Sequence, residues 1–210
     1  MHPIFTLPPD VTLVLASASP RRKALLEASW GVALTILPSP VDEPKPSMAE
    51  SAEHYTRQTS AQKAMATAQR LSKTSRCIIL GADTVVHTQN GTILGKPVDC
   101  DDALAMLQSL IGTWHSVTTS VTIILQNPPS TTTLTQTTRV HFGTFSSDVL
   151  KAYVNTLEPM DKAGAYAIQG KGAFLLKEIE GSWTNVVGLP LEMLTQWLCE
   201  RNLLLPARPQ

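Results

Sequence analysis

Along the chain, short apolar runs with β-branched residues alternate with stretches whose apolar positions recur at helical spacing. Val11 to Ala16 is such a run, and Ser19-Pro20 after it supplies an N-cap and a first helical residue ahead of Lys23-Ala24-Leu25-Leu26-Glu27. The pattern predicts strand, turn, helix, with Gly31 as the stop and a second strand over Val32 to Leu37. Pro38-Ser39-Pro40 then opens a loop leading to Asp42-Glu43. Ser47 to Leu71 has neither Gly nor Pro and is rich in Ala, Gln, Lys and Arg, which predicts one long helix carrying Lys63 in its second half. Cys77 to Val86 reads as a strand, and Asn90-Gly91 as a hairpin turn into Thr92-Ile93-Leu94.

Leu104, Leu107 and Leu110-Ile111 follow the acidic start Asp99 to Asp102 and end at Gly112, the signature of a helix. Ser116 to Leu125 and Thr131 to Phe145 are dense in Val, Ile and Thr on either side of Asn127-Pro128-Pro129, which predicts a long antiparallel pair. Ser146-Ser147-Asp148 caps a helix running through Leu157, before Pro159. Ala163 to Ile168 and Ala173 to Ile179 read as short strands around the turn Gly170-Lys171-Gly172, and Pro190 opens a last helix through Glu200. No internal repeat is present. The elements sum to an α/β fold, a mixed β-sheet flanked by helices. We expect an N-terminal extension over residues 1–10 and a single domain over 11–205.

Composition narrows the function class. Of the 210 residues, 43% are hydrophobic, enough for a sizeable core. Seventeen Lys and Arg balance seventeen Asp and Glu, so no global field draws a nucleic-acid polymer. Cys77, Cys100 and Cys199 are odd in number and far apart, which speaks against a disulfide framework. The histidines have no HxxxH spacing, which disfavours a histidine zinc site. Trp183 and Trp197 read as core or turn packing. No leader and no membrane-spanning stretch opens the chain, so a cytoplasmic protein is expected.

The segment Ala16-Ser17-Ala18-Ser19-Pro20-Arg21-Arg22 carries the most chemistry. A strand that turns through hydroxyl residues into a helix N-terminus offers backbone N–H groups and the positive end of the helix dipole, and two guanidinium groups add fixed charge. That suits a polyphosphate; the alternative is a capped surface helix with two solvated arginines. Asp83 interrupts the apolar run Ile78 to Val86, where a carboxylate is costly unless paired or metal-bound. Gly81 and Ala82 leave space beside it for a ligand; the alternative is a strand-end aspartate accepting backbone hydrogen bonds. With Asp42-Glu43 it offers oxygens suited to Mg²⁺ or Mn²⁺, although that acidic pair alone reads as surface charge. Lys63, Lys96 and Gln169 are ordinary by local context.

Read in order, Leu13 to Arg22, Gly81 to Val86, Gly95-Lys96-Pro97, Asp161 to Gly170 and Asn185 to Leu191 resemble the motifs of the Maf family, over nearly the whole chain from Leu13 to Leu198. The resemblance implies an elongated mixed-sheet fold similar to that of inosine triphosphate pyrophosphatases, with two lobes around a cleft, and a metal-dependent nucleotide pyrophosphatase that is commonly a homodimer. By motif position Asp83 matches the proposed general base and, with Glu43, the metal site. Ser19, Arg21, Arg22, Lys63, Lys96 and Gln169 match other site positions. One branch of the family favours 7-methyl-GTP and has SPWRR or SPYRR, SDQ and SEG where this chain has SPRR, ADT and IQG. Arg21, Thr84 and Gln169 therefore resemble the branch that cleaves dTTP and UTP, with Thr84 and Gln169 expected to read the base. Gly95 and Ala167 depart from the usual pattern without touching a proposed role. Two rival readings are a non-standard purine triphosphate pyrophosphatase and a non-catalytic, nucleotide-binding regulator of cell division.

Overall fold

The computed structural model describes residues 3–42, 44, 46–47, 50–72 and 76–207. Strand β1 (Phe5–Thr6) leads to β2 (Val11–Leu15), helix α1 (Pro20–Trp30), β3 (Thr35–Ile36) and the long helix α2 (Ala52–Ala68). Strand β4 (Arg76–Thr88), β5 (Ile93–Leu94), helix α3 (Cys100–Leu110) and the antiparallel strands β6 (Trp114–Gln126) and β7 (Pro129–Phe142) follow. Helix α4 (Ser147–Val154), β8 (Leu176–Glu180), helices α5 (Trp183–Val187) and α6 (Leu191–Glu200) and β9 (Leu205–Pro206) complete the chain.

Local chemistry accounts for most of these elements. Ser19 caps α1 in extended conformation with Pro20 behind it, and Gly31, at φ +69°, ends it in the left-handed region that favours glycine. Asp99 accepts from the Asp102 N–H to start α3, and Ser146 from Val149 to start α4. The long helix begins later than its polar pattern suggests, because Ser51 accepts the His54 N–H and sets the start at Ala52. The expected strand Val32–Leu37 shrinks to Thr35–Ile36, since only Val14 and Leu15 of β2 pair with it.

The main sheet is mixed, in the order β3-β2-β4-β6-β7-β8, with β5 on the edge of β4. Strands β3 and β4 run parallel to β2, whereas β4, β6, β7 and β8 alternate antiparallel. The expected N-terminal extension is tied in: β1 pairs antiparallel with β9 in a small second sheet, and Phe5 and Leu7 pack against the core.

On one face of β4, the side chains of Ile78, Leu80 and Ala82 join α1 and α6 in one apolar cluster, and Val86 joins α3 and α4 in a second. Thr84 lies between the two clusters along the same strand face. The opposite face is covered by α2. Gly81 makes that possible: a Cβ there would stand 2.4 Å from the Ser60 carbonyl oxygen and 2.6 Å from the Ala64 nitrogen. The space beside Gly81, expected for a ligand, is therefore filled by the helix backbone.

Two further expectations fail. Ala163–Ile168 is not a strand: Ala163–Ala165 forms a 3₁₀ turn, with Gly164 at φ +68° pressed against Val86. Lys171–Leu175 is likewise a 3₁₀ turn, and the strand starts only at Leu176. Trp183, expected in core or turn packing, stands at the turn into α5 and is 43% exposed.

Candidate active site

The parallel pairing of β2 with β4 stops at Leu15 and Leu80, and β5 joins the same edge of β4 only at Val86. Between these points neither strand covers the edge of β4, so residues from both of its faces reach one opening. A cleft of about 400 Å³ lies there. It is lined by Ser19, Arg21 and Arg22 from the turn and α1, Lys63 from α2, Asp83 and Thr84 from β4, and Lys96 after β5. The guanidinium-bearing turn and the buried acid thus face one hollow.

Asp83, 4% exposed, points to the α2 side, where the Lys63 ammonium donates to Oδ1 at 2.7 Å. Lys63 is 8% exposed, and its helix is fixed to the sheet by hydroxyl pairs, Thr56 with Ser120 at 2.8 Å and Ser60 with Thr122 at 2.9 Å. Two opposite charges withdrawn from water hold each other in place.

Thr84 points to the opposite face. Its Oγ1 accepts from Nη2 of Arg22 at 3.0 Å and shares a hydrogen bond with Thr119, which in turn donates to the Asn185 carbonyl. Arg22 also donates from Nε to the Gly188 carbonyl at 2.7 Å and from Nη1 to Ser17 Oγ at 3.0 Å. Arg21 is more open and lies 3.6 Å from Asp161 across the cleft. Partial burial pulls the Asp161 carboxyl upward, but the Lys162 hydrogen bond and charge, with Arg21, hold it below its ordinary value.

The cleft extends to Tyr166, whose hydroxyl bonds His115 Nε2 at 2.9 Å. Burial first, and then the neighbouring His87 and His141, push His115 down to about 4. The wall carrying Asp161, Ala163 and Tyr166 is clasped from behind: Glu158 accepts from the backbone N–H of Lys171 and Gly172 and from the Tyr153 hydroxyl.

Two site expectations fall differently. Gln169 is exposed and outside the residues that line the cleft. Glu43 lies outside the described residues. Sequence reasoning gave no role to Ser17 or Asp161, although Ser17 stands in the hydroxyl-rich turn and Asp161 opens a matched segment. No group of three His, Cys, Asp or Glu suited to a metal occurs among the described residues. Mg²⁺ commonly takes one or two carboxylates, completing its shell with water and substrate phosphates, so the oxygen donor of Asp83 fits such an ion.

Fold and cleft together define a mixed-sheet α/β protein whose sheet edge gathers cations around a buried acid, a surface made for an anionic ligand. The chain belongs to the Maf-like protein family, whose model matches residues 12–201. Relatives named dTTP/UTP pyrophosphatase include one from Oleidesulfovibrio alaskensis, 43% identical over 94% of this chain and 89% of the relative. Another, from Nitratidesulfovibrio vulgaris, is 44% identical over 90% of this chain and 88% of its own. A third, from Methylobacillus flagellatus, is 45% identical over 85% and 87%. No helix among the described residues is long and apolar enough to cross a membrane.

Proposed function

We propose that the protein is a nucleoside triphosphate pyrophosphatase that hydrolyses dTTP and UTP, and modified pyrimidine nucleotides of the same shape, to the monophosphate and pyrophosphate. The observation that carries this reading is the convergence of Arg21, Arg22, Lys63 and Lys96 with buried Asp83 in one cleft, in a chain that resembles relatives of that name over most of its length.

In this reading the cations favour the triphosphate in the cleft, and phosphate chemistry is accelerated mainly by positioning and charge stabilisation. Asp83 orients or deprotonates the attacking water, and Lys63, 2.7 Å away, fixes the carboxylate for that task. A divalent ion, Mg²⁺ or Mn²⁺, held by Asp83 and Glu43 would supply charge neutralisation on the phosphates. Thr84, in the wall of the cleft, reads the base. As family members commonly are, the protein is a homodimer; it works in the cytoplasm, clearing the nucleotide pool.

Asp83→Asn is expected to lower dTTP hydrolysis by about 10²–10⁴-fold, the usual contribution of a general base. A pyrophosphate readout across dTTP, UTP, CTP, ITP and 7-methyl-GTP tests the substrate class. Preference for ITP or for the methylated purine contradicts it, and nucleotide binding without pyrophosphate release points to a non-catalytic regulator.

A further inference from the structure

The Ser17 hydroxyl has both lone pairs in use. Its Oγ accepts from the Ser19 backbone N–H at 3.2 Å and from Arg22 Nη1 at 3.0 Å. Both partners are N–H groups with no lone pair to offer, so neither bond can be reversed. What a hydroxyl held in this way has left is its own hydrogen, which requires an acceptor. Ser17 makes no other hydrogen bond among the described residues. It is 8% exposed, and the surface it lends is the wall of the cleft.

Arg22 completes the arrangement. At 9% exposure, each of its three nitrogens serves a protein acceptor on a different segment: Gly188 after α5, Ser17 in the turn, and Thr84 on β4. Those three directions use the planar fork of a guanidinium, which the single ammonium of a lysine does not reproduce.

We propose that Ser17 is a substrate-binding residue that donates its hydroxyl hydrogen to a phosphate oxygen of the bound nucleotide, and that Arg22 is the positioning residue that fixes this donor beside Thr84. The proposal rests on the reading of the cleft as a triphosphate site. It separates the two signature arginines: Arg21 meets the anion as a charge, whereas Arg22 acts through geometry.

The test pairs calorimetric binding of inorganic tripolyphosphate, which needs no turnover, with dTTP hydrolysis, in the full chain and its Ser17→Ala, Arg22→Lys and Arg22→Gln variants. Ser17→Ala is expected to weaken tripolyphosphate binding about tenfold and to lower kcat/KM about 10²-fold, as loss of one preorganised donor does. Its melting temperature should fall by about 3–10 °C with the fold kept, since the substitution also takes the acceptor from Arg22 Nη1 and the Ser19 N–H. Arg22→Lys, which keeps the charge, should lose as much kcat/KM as Arg22→Gln.

Ser17→Ala within about threefold of the parent in both measurements overturns the donor, and Arg22→Lys at parental activity while Arg22→Gln fails overturns the positioning role. Should the Arg22 variants not fold, Ser17→Ala decides alone. A parent chain that binds tripolyphosphate but releases no pyrophosphate contradicts the pyrophosphatase reading and leaves the Ser17 measurement standing; one that binds no tripolyphosphate overturns the proposal.

Discussion

The two faces of the central sheet are built from different chemistry. One carries Leu80, Val121 and Ile123 against α1 and α6, and Val117, Val140 and Phe142 against α3 and α4. The other carries Thr118, Ser120 and Thr122, whose hydroxyls meet Thr137, Thr135 and Thr133 of β7, while α2 adds Thr56 and Ser60. An apolar interface draws its strength from area removed from water and is indifferent to direction. A hydroxyl network contributes little net free energy per bond but fixes one position of the helix over the strands. The difference teaches where precision is needed: the face that places Lys63 on Asp83 is the directional one.

Three measurements would break or sharpen that contrast. The largest effect is expected from Leu80→Ala on the apolar face, about 2–5 kcal/mol by urea unfolding, as for other buried leucines. Next comes acid. His115 sits inside the apolar face with a folded-state pKa of about 4, below its unfolded value of about 6.5. The unfolded chain therefore takes up a proton that the folded chain refuses, so stability is complete above about pH 6.5 and falls through the window down to about 4. The loss reaches about 3 kcal/mol, and His115→Gln should flatten that part of the urea-midpoint profile. The smallest effect belongs to Ser60→Ala on the hydroxyl face, about 1 kcal/mol, because Thr122 keeps its bond to Thr133. A loss for Ser60→Ala as large as that for Leu80→Ala would erase the distinction between the faces.

What could be read from the sequence follows the range of the forces involved. Helix α1, from Ser19-Pro20 to Gly31, and α3, from Asp99 to Gly112, are written in local caps and stops, and the structure keeps them. The Thr-rich strands β6 and β7 are legible from β-branched density. The segment after Asp161 is not, because its shape is imposed from afar: Gly164 is pressed on Val86, and Glu158 and Tyr153 take up the backbone N–H groups of Ala167, Lys171 and Gly172. In the site, Arg21, Arg22 and Asp83 stand out as charges where charge is costly. Lys63 looks like any helix lysine until α2 is laid across Gly81, and Ser17 looks like any turn residue until Arg22 reaches it.

Asp83 and Thr84 are consecutive, yet one is held by Lys63 beneath the sheet and the other by Arg22 above it. Their assignments depend on the pairing of β4 with β6, continuous from Ile78 opposite Leu125 to Thr88 opposite His115. Were β4 threaded one residue out of frame, every side chain would change sides: the acid would turn toward the arginine and the hydroxyl toward the lysine. The long antiparallel pairing is thus the device that writes the chemistry of the cleft, by deciding which neighbour looks up and which looks down.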